Sequence, residues 1–181
     1  MKNPVGFPKR FIVSSAVALC LLTGATVPAQ AQTNKLRLGV YDSRAVAVAY
    51  ANSTEFRDSL KAVQADYQKA KAAKDETRIK TIEGRMKLQQ RRLHEQGFST
   101  GSVANIMATI KDSLPAMAKK AGVDLIVSKW EVSYQSPGVK VVDVTGDLVA
   151  LFHVSEKGLG WVKGIPNHAP LPIEQITDDM D

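Results

Sequence analysis

The sequence predicts an α+β fold, a small three-stranded β body with a protruding antiparallel helical hairpin. Three observations carry this. Short apolar or alternating runs at residues 35–41, 125–128 and 131–135 read as strands. Two heptad seams between residues 54 and 96 lie out of phase with each other. Glycine, proline and N-cap residue types divide the rest into short elements.

The chain of 181 residues opens with an export signal, expected to span residues 1–31. Lys2, Lys9 and Arg10 form a positive region, and Phe11 to Thr23 is an apolar run. A bilayer span needs roughly 20 apolar residues, so this run is too short to anchor the chain. Pro28 breaks the run, and Ala29-Gln30-Ala31 puts small residues at the cleavage positions. A lipoprotein would need a small residue before Cys20, where Leu19 stands. Cleavage after Ala31 would release a periplasmic chain starting at Gln32. It would have no cysteine, so it could form neither a disulfide framework nor a thiolate metal site. The net charge would fall from +6 to +3. The remaining length suits one domain at residues 32–163 and an irregular acidic tail at 164–181.

In Lys35 to Tyr41, Leu36, Leu38 and Val40 alternate with Lys35, Arg37 and Gly39, which predicts the first strand. Asp42 and Ser43 are N-cap types opening a short helix, Arg44 to Ala51, apolar nearly all round and so buried. Ser53 and Thr54 offer the next caps. Phe56, Leu60, Val63, Tyr67 and Ala70 then follow a heptad seam, and Ile79, Ile82, Met86 and Leu93 follow a second. The step from Ala70 to Ile79 is half a revolution beyond whole turns at about 100° per residue. A bend near Ala73 to Glu76 would pair two helices, Thr54 to Ala73 and Thr77 to Gln96, each roughly 30 Å long. Tyr67 would then meet Ile82 or Met86. The alternative is one continuous amphipathic helix.

Gly97 is placed to end the second helix. Ser102 can cap the next, which carries Val103, Ile106, Met107, Ile110, Leu114 and Met117 on one face and should be kinked or divided at Pro115. Gly122 stops it. Leu125 to Ser128 and Glu131 to Gln135 read as a β-hairpin, although the turn between them lacks Asn-Gly or Asp-Gly. Asp143 or Thr145 caps a last helix bearing Val144, Leu148, Leu151 and Phe152. From Gly164 onward the chain should be irregular, with a frayed end.

Several of these segments occur in the order found in the Skp/OmpH family of periplasmic chaperones. Val40-Tyr41-Asp42 closes the first strand. Ala118-Lys119-Lys120-Ala121-Gly122-Val123-Asp124-Leu125-Ile126-Val127 leads into the second. Val132-Ser133-Tyr134-Gln135-Ser136-Pro137-Gly138-Val139 and Asp143-Val144-Thr145 follow. The resemblance spans most of Lys35 to Phe152. It implies a homotrimer whose strands form a body and whose helical arms enclose unfolded outer-membrane proteins. The arms here are short, and Ser155 to Asp181 has no counterpart in the resemblance. Independently, a small body buries little of its surface, and association stabilises it and covers open sheet edges.

Charge supports a role for the arm. Residues 54–96 hold 11 Lys/Arg and 7 Asp/Glu, so the positive character is concentrated there. Such an arm could steer acidic clients or an anionic lipid surface. The expected client-binding residues are Phe56, Leu60, Val63 and Tyr67 on the apolar stripe, with Lys61, Lys69, Lys71, Lys74, Arg78 and Lys80 beside it. The same stripe also fits a plain helix seam, and the same charges fit a solvated helix face.

No enzyme constellation is visible. His94, His153 and His168 are isolated, and Ser43 lacks a neighbouring histidine base. No phosphate-binding or dinucleotide glycine signature occurs. No cofactor, metal or nucleic-acid partner is expected. Two functions remain: an ATP-independent holdase for unfolded outer-membrane proteins, or an envelope adaptor that binds one fixed partner or an anionic surface.

Overall fold

The computed structural model describes residues 36–177; the expected signal peptide and the last four residues lie outside the described residues. The protein is a mixed helix-and-sheet fold. Strand β1 (Arg37–Tyr41) occupies the centre of a three-stranded sheet, with β2 (Leu125–Ser128) on one side and β3 (Lys140–Asp143) on the other. Both pair parallel to β1, with Leu38 beside Leu125 and Val141, and Val40 beside Val127 and Asp143.

The sheet corrects one expectation. Glu131–Gln135 is not a strand, and no β-hairpin forms after β2. Instead the chain crosses to the far edge of β1 and returns as β3. The reason lies at the end of β2. Lys129 donates its backbone N–H to Tyr41 O (2.8 Å) and its ammonium to Asp42 (2.8 Å). The Trp130 indole N–H points to Asp42 Oδ1 (3.3 Å). These contacts hold the chain against the end of β1, so it does not fold back on β2. Gly39 allows the close pairing, since a Cβ there would come within 3.2 Å of Leu125 O and Val123 Cγ2.

The two sheet faces differ. Tyr41, Ile126 and Val142 face the helical core. The opposite face carries Leu38, Leu125 and Val141 as direct neighbours, and Leu125 and Val141 are exposed. Parallel sheets usually have both faces covered. Here the helices among the described residues pack on one face, and on the other Leu38 is buried while its neighbours Leu125 and Val141 are exposed.

Helix α1 (Ser43–Ala51) is buried nearly all round, as its composition predicts. Asp42 caps it by accepting from Arg44 N (3.0 Å). Helix α2 (Thr54–Ala72) starts at Ser53, whose hydroxyl accepts from Phe56 N (3.2 Å). A short turn follows, with Lys74 left-handed at φ 56°. Asp75 then caps α3 (Glu76–Phe98) through Arg78 N (2.9 Å). Across the turn, Arg78 pairs with Asp66 (2.6 Å), and the Tyr67 hydroxyl donates to Glu83 (2.9 Å).

Gly97 does not end α3. The helix continues through Phe98, and a Cβ at Gly97 would make only an ordinary contact with Val48, at 3.8 Å. The reversal is made by Gly101, whose N–H donates to Glu95 O (3.1 Å). The last turns of α3 therefore belong to the body, with Gln96 buried.

Helix α4 (Ala104–Met107), a 3-10 stretch (Ala108–Ser113) and α5 (Leu114–Ala121) form the next layer. Pro115 sits in the first turn of α5, where its missing N–H costs nothing. Gly122 closes α5 at φ 65°. Val103, Ile106, Ile110 and Met117 are buried in one core cluster with Leu148 of α6 (Thr145–Val149) and with Val144 just before it. Ser155 caps α7 (Glu156–Gly164) through Gly158 N (3.2 Å). Beyond it the described residues are irregular apart from two short 3-10 turns.

Candidate functional site

A cleft of about 710 Å³ lies where α1, α2, α3 and α7 meet. Volumes of roughly 300–1,000 Å³ are usual for ligand sites. Each wall follows from a local pattern. Ala47, Val48 and Ala51 are the small residues of α1, and they let the other helices come close. Phe56 and Leu60 stand four residues apart on α2. Met86, Leu93, Gly97 and Phe98 come from α3, and Trp161 from α7. Asn52, Gln89, Gln90 and His94 supply the polar groups.

The lining is adaptable as well as apolar. Met86 is a polarizable, unbranched side chain that accommodates varied partners. Met86, Phe98 and Trp161 are exposed, so the apolar wall faces solvent. Lys157 stacks its ammonium 4.9 Å from the Trp161 ring. Phe56 is held from behind by Tyr50, ring to ring at 5.3 Å.

Of the expected client-binding residues, the four on the apolar stripe divide into three groups. Phe56 and Leu60 line the cleft. Val63 lines a smaller hollow of about 350 Å³ with Asp66, Ile82 and Met86. Tyr67 is engaged by Glu83 and by Lys71, whose ammonium lies 5.5 Å from the ring, so it serves the contact between α2 and α3. Among the cations, Lys61 pairs with Asp58 (2.8 Å) and Arg78 with Asp66. Lys69, Lys74 and Lys80 are exposed. The ten residues therefore do not form one site.

The walls from α1 and α7 were not among the expected residues. The Ser155 cap was the available signal for α7, but Gly158 and Gly160 inside the helix obscured it.

A second cluster sits at the C-terminal end of the sheet. Asp42 is buried and receives the Arg44 guanidinium (Nε 3.2 Å, NH2 2.9 Å) and the Lys129 ammonium (2.8 Å). Both cations flank Trp130, at 5.1 and 4.5 Å from its ring. Thr145 Oγ1 accepts from Asp42 N (3.0 Å). Burial pushes the Asp42 carboxyl up. Hydrogen bonds from Arg44 and Lys129, with the Arg44 charge, outweigh burial and hold the group at about 2. So the aspartate stays ionised, acts as a structural anion and has no proton to donate near neutral pH.

Among the described residues no group of three or more His, Cys, Asp or Glu could hold a metal ion, and no helix is long and apolar enough to cross a membrane. Comparison of the chain with protein-family models, curated proteins and solved structures found no match.

Proposed function

We propose that this chain is a periplasmic, ATP-independent holdase-type chaperone, similar to the Skp/OmpH family, that binds unfolded outer-membrane proteins and is not an enzyme. The observation that carries the reading is the exposed apolar cleft at the base of a basic helix pair. Unfolded chains present apolar segments without fixed shape, and a solvent-facing wall of Met86, Phe98 and Trp161 suits them better than a closed pocket would. In this reading α2 and α3 are an antiparallel helical hairpin, as the Asp66–Arg78 and Tyr67–Glu83 bonds on either side of the turn support. Their positive charge speeds the encounter with acidic clients.

The uncovered sheet face supports assembly. Leu125 and Val141, on either side of the buried Leu38, are exposed apolar residues that a second copy would cover, and the trimer implied by the family resemblance would do so.

The test is aggregation of a urea-denatured outer-membrane β-barrel protein on dilution. Wild type at stoichiometric excess should suppress light scattering, and a Met86→Asp, Trp161→Ala double variant should suppress it much less. No suppression by the folded wild type would remove the reading. The charge concentration on residues 54–96 favours one second reading, an adaptor for an anionic surface. Vesicle co-sedimentation lost in high salt, with no effect on aggregation, would select it.

A further inference from the structure

We infer that the groove along the end of α3, which the chain's own tail at residues 168–177 occupies, is a binding site for peptide. This rests on the chaperone reading only for its biological use. The tail is held almost entirely by its main chain. The Leu171 N–H donates to Phe98 O (2.8 Å), and Leu171 O accepts from the Ser99 hydroxyl (2.7 Å). His168 O accepts from Arg44 NH1 (2.7 Å). Thr177 O lies 3.4 Å from His94 Nδ1. One side chain is buried, that of Ile176. Between Pro166 and Gln175 only Pro170 and Leu171 are even half-buried, and Ile173 is exposed.

This pattern specifies a ligand class. Main-chain hydrogen bonds are available from any extended peptide, and a side-chain pocket adds selectivity. The groove thus recognises a segment that pairs its main chain with Phe98 and Ser99, makes one 3-10 turn as Ile173–Gln175 does, and places an aliphatic residue five positions after the paired one. The partners on the body are fixed: Ser99 is buried, and Arg44 is anchored by Asp42. The groove is also continuous with the cleft, because Phe98 and His94 belong to both. An incoming chain that displaces the tail could therefore run from one into the other. Displacement is feasible because a segment with so few buried contacts opens locally at low free energy.

The tail's presence lowers the apparent affinity for any competing peptide by the fraction of molecules in which the groove is free. Ile176→Asp in the full chain removes the one buried side chain and should free the groove. The probe is a fluorescein-labelled synthetic peptide of residues 165–177, followed by anisotropy. Binding to Ile176→Asp protein should be about tenfold tighter than to wild type, from the transfer cost of an aliphatic side chain. A chain ending at Asn167, checked by circular dichroism, should show the same gain. A peptide carrying Asp in place of Ile176 should fail to compete. Equal affinity for wild type and both variants, or competition by the Asp-bearing peptide, would overturn the inference. Aggregation suppression reports separately. Suppression without any gain in peptide binding leaves the chaperone reading and removes this one, and a gain without suppression does the reverse.

Discussion

Replacing Asp42 with Asn isolates the charge at the end of β1. Asn caps a helix about as well as Asp, so the start of α1 is kept. The volume is also kept. What goes is the negative charge between Arg44 and Lys129, together with the Oδ2 acceptor that both of them face. In the wild type that carboxyl is held at about 2, against 3.8 for an ordinary aspartate. A depressed carboxylate contributes stability that is full above its unfolded value and is lost as pH falls through its folded value. A displacement of this size is worth about 2 kcal/mol at neutral pH. Leaving a buried partner without its counter-ion costs about 3–5 kcal/mol, and Lys129, partly exposed, moderates that. We expect Asp42→Asn to lose about 2–3 kcal/mol in urea unfolding at pH 7. The gap between variant and wild type should close between pH 3.8 and 2, where the wild-type carboxyl itself takes up a proton. A gap below about 0.5 kcal/mol at pH 7, or one that persists unchanged at pH 2, would refute the reasoning.

Two further substitutions probe the backbone. Gly158→Ala puts a Cβ 2.5 Å from Asn52 Cβ and 2.9 Å from Val154 Cγ1, so it should cost about 1–3 kcal/mol and lower Tm. Gly160→Ala, on the same helix with open space around it, should instead raise Tm slightly, by up to about 1 kcal/mol of stability. If both move Tm the same way, the close approach of α7 to Asn52 is wrong. Lys74→Gly removes a left-handed lysine at the α2–α3 turn and should stabilise by up to about 1 kcal/mol in chemical denaturation; a loss would mean that the turn is not left-handed there.

Local signals were legible in the sequence. The Asp42 and Ser53 caps, the turn at residues 73–75 and the Gly122 stop are each set by a few adjacent residues, and the structure places them where the pattern does. Strand pairing was not legible in this way. Residues 131–135 have strand-like alternation, but what decides their fate is the hold of Asp42 on Lys129 and Trp130, which lies far away in the chain. Lys140–Asp143 becomes a strand because β1 has a second free edge, and no local pattern reports that. The cleft shows the same division. Phe56 and Leu60 could be read from a helical seam, whereas Val48 and Trp161 join them only once α1 and α7 have docked.

The all-parallel sheet has a consequence for the order of folding. β1 is made first, yet its partners arrive late: the Arg37 N–H bonds to an aspartate 87 residues further along. Closing so long a loop is entropically costly, and contacts of this kind slow folding. The pairing of α2 with α3 needs only a short loop and can form while the rest of the chain is still being made. Until β2 emerges, the first strand must wait with both edges open, one edge stays open until β3 follows, and α1 has no completed sheet to pack on. The nascent protein is thus for a time itself an unfolded chain with an exposed strand. A chain ending before Lys140 should keep helical circular dichroism from α2 and α3 while losing the cooperative unfolding of the body.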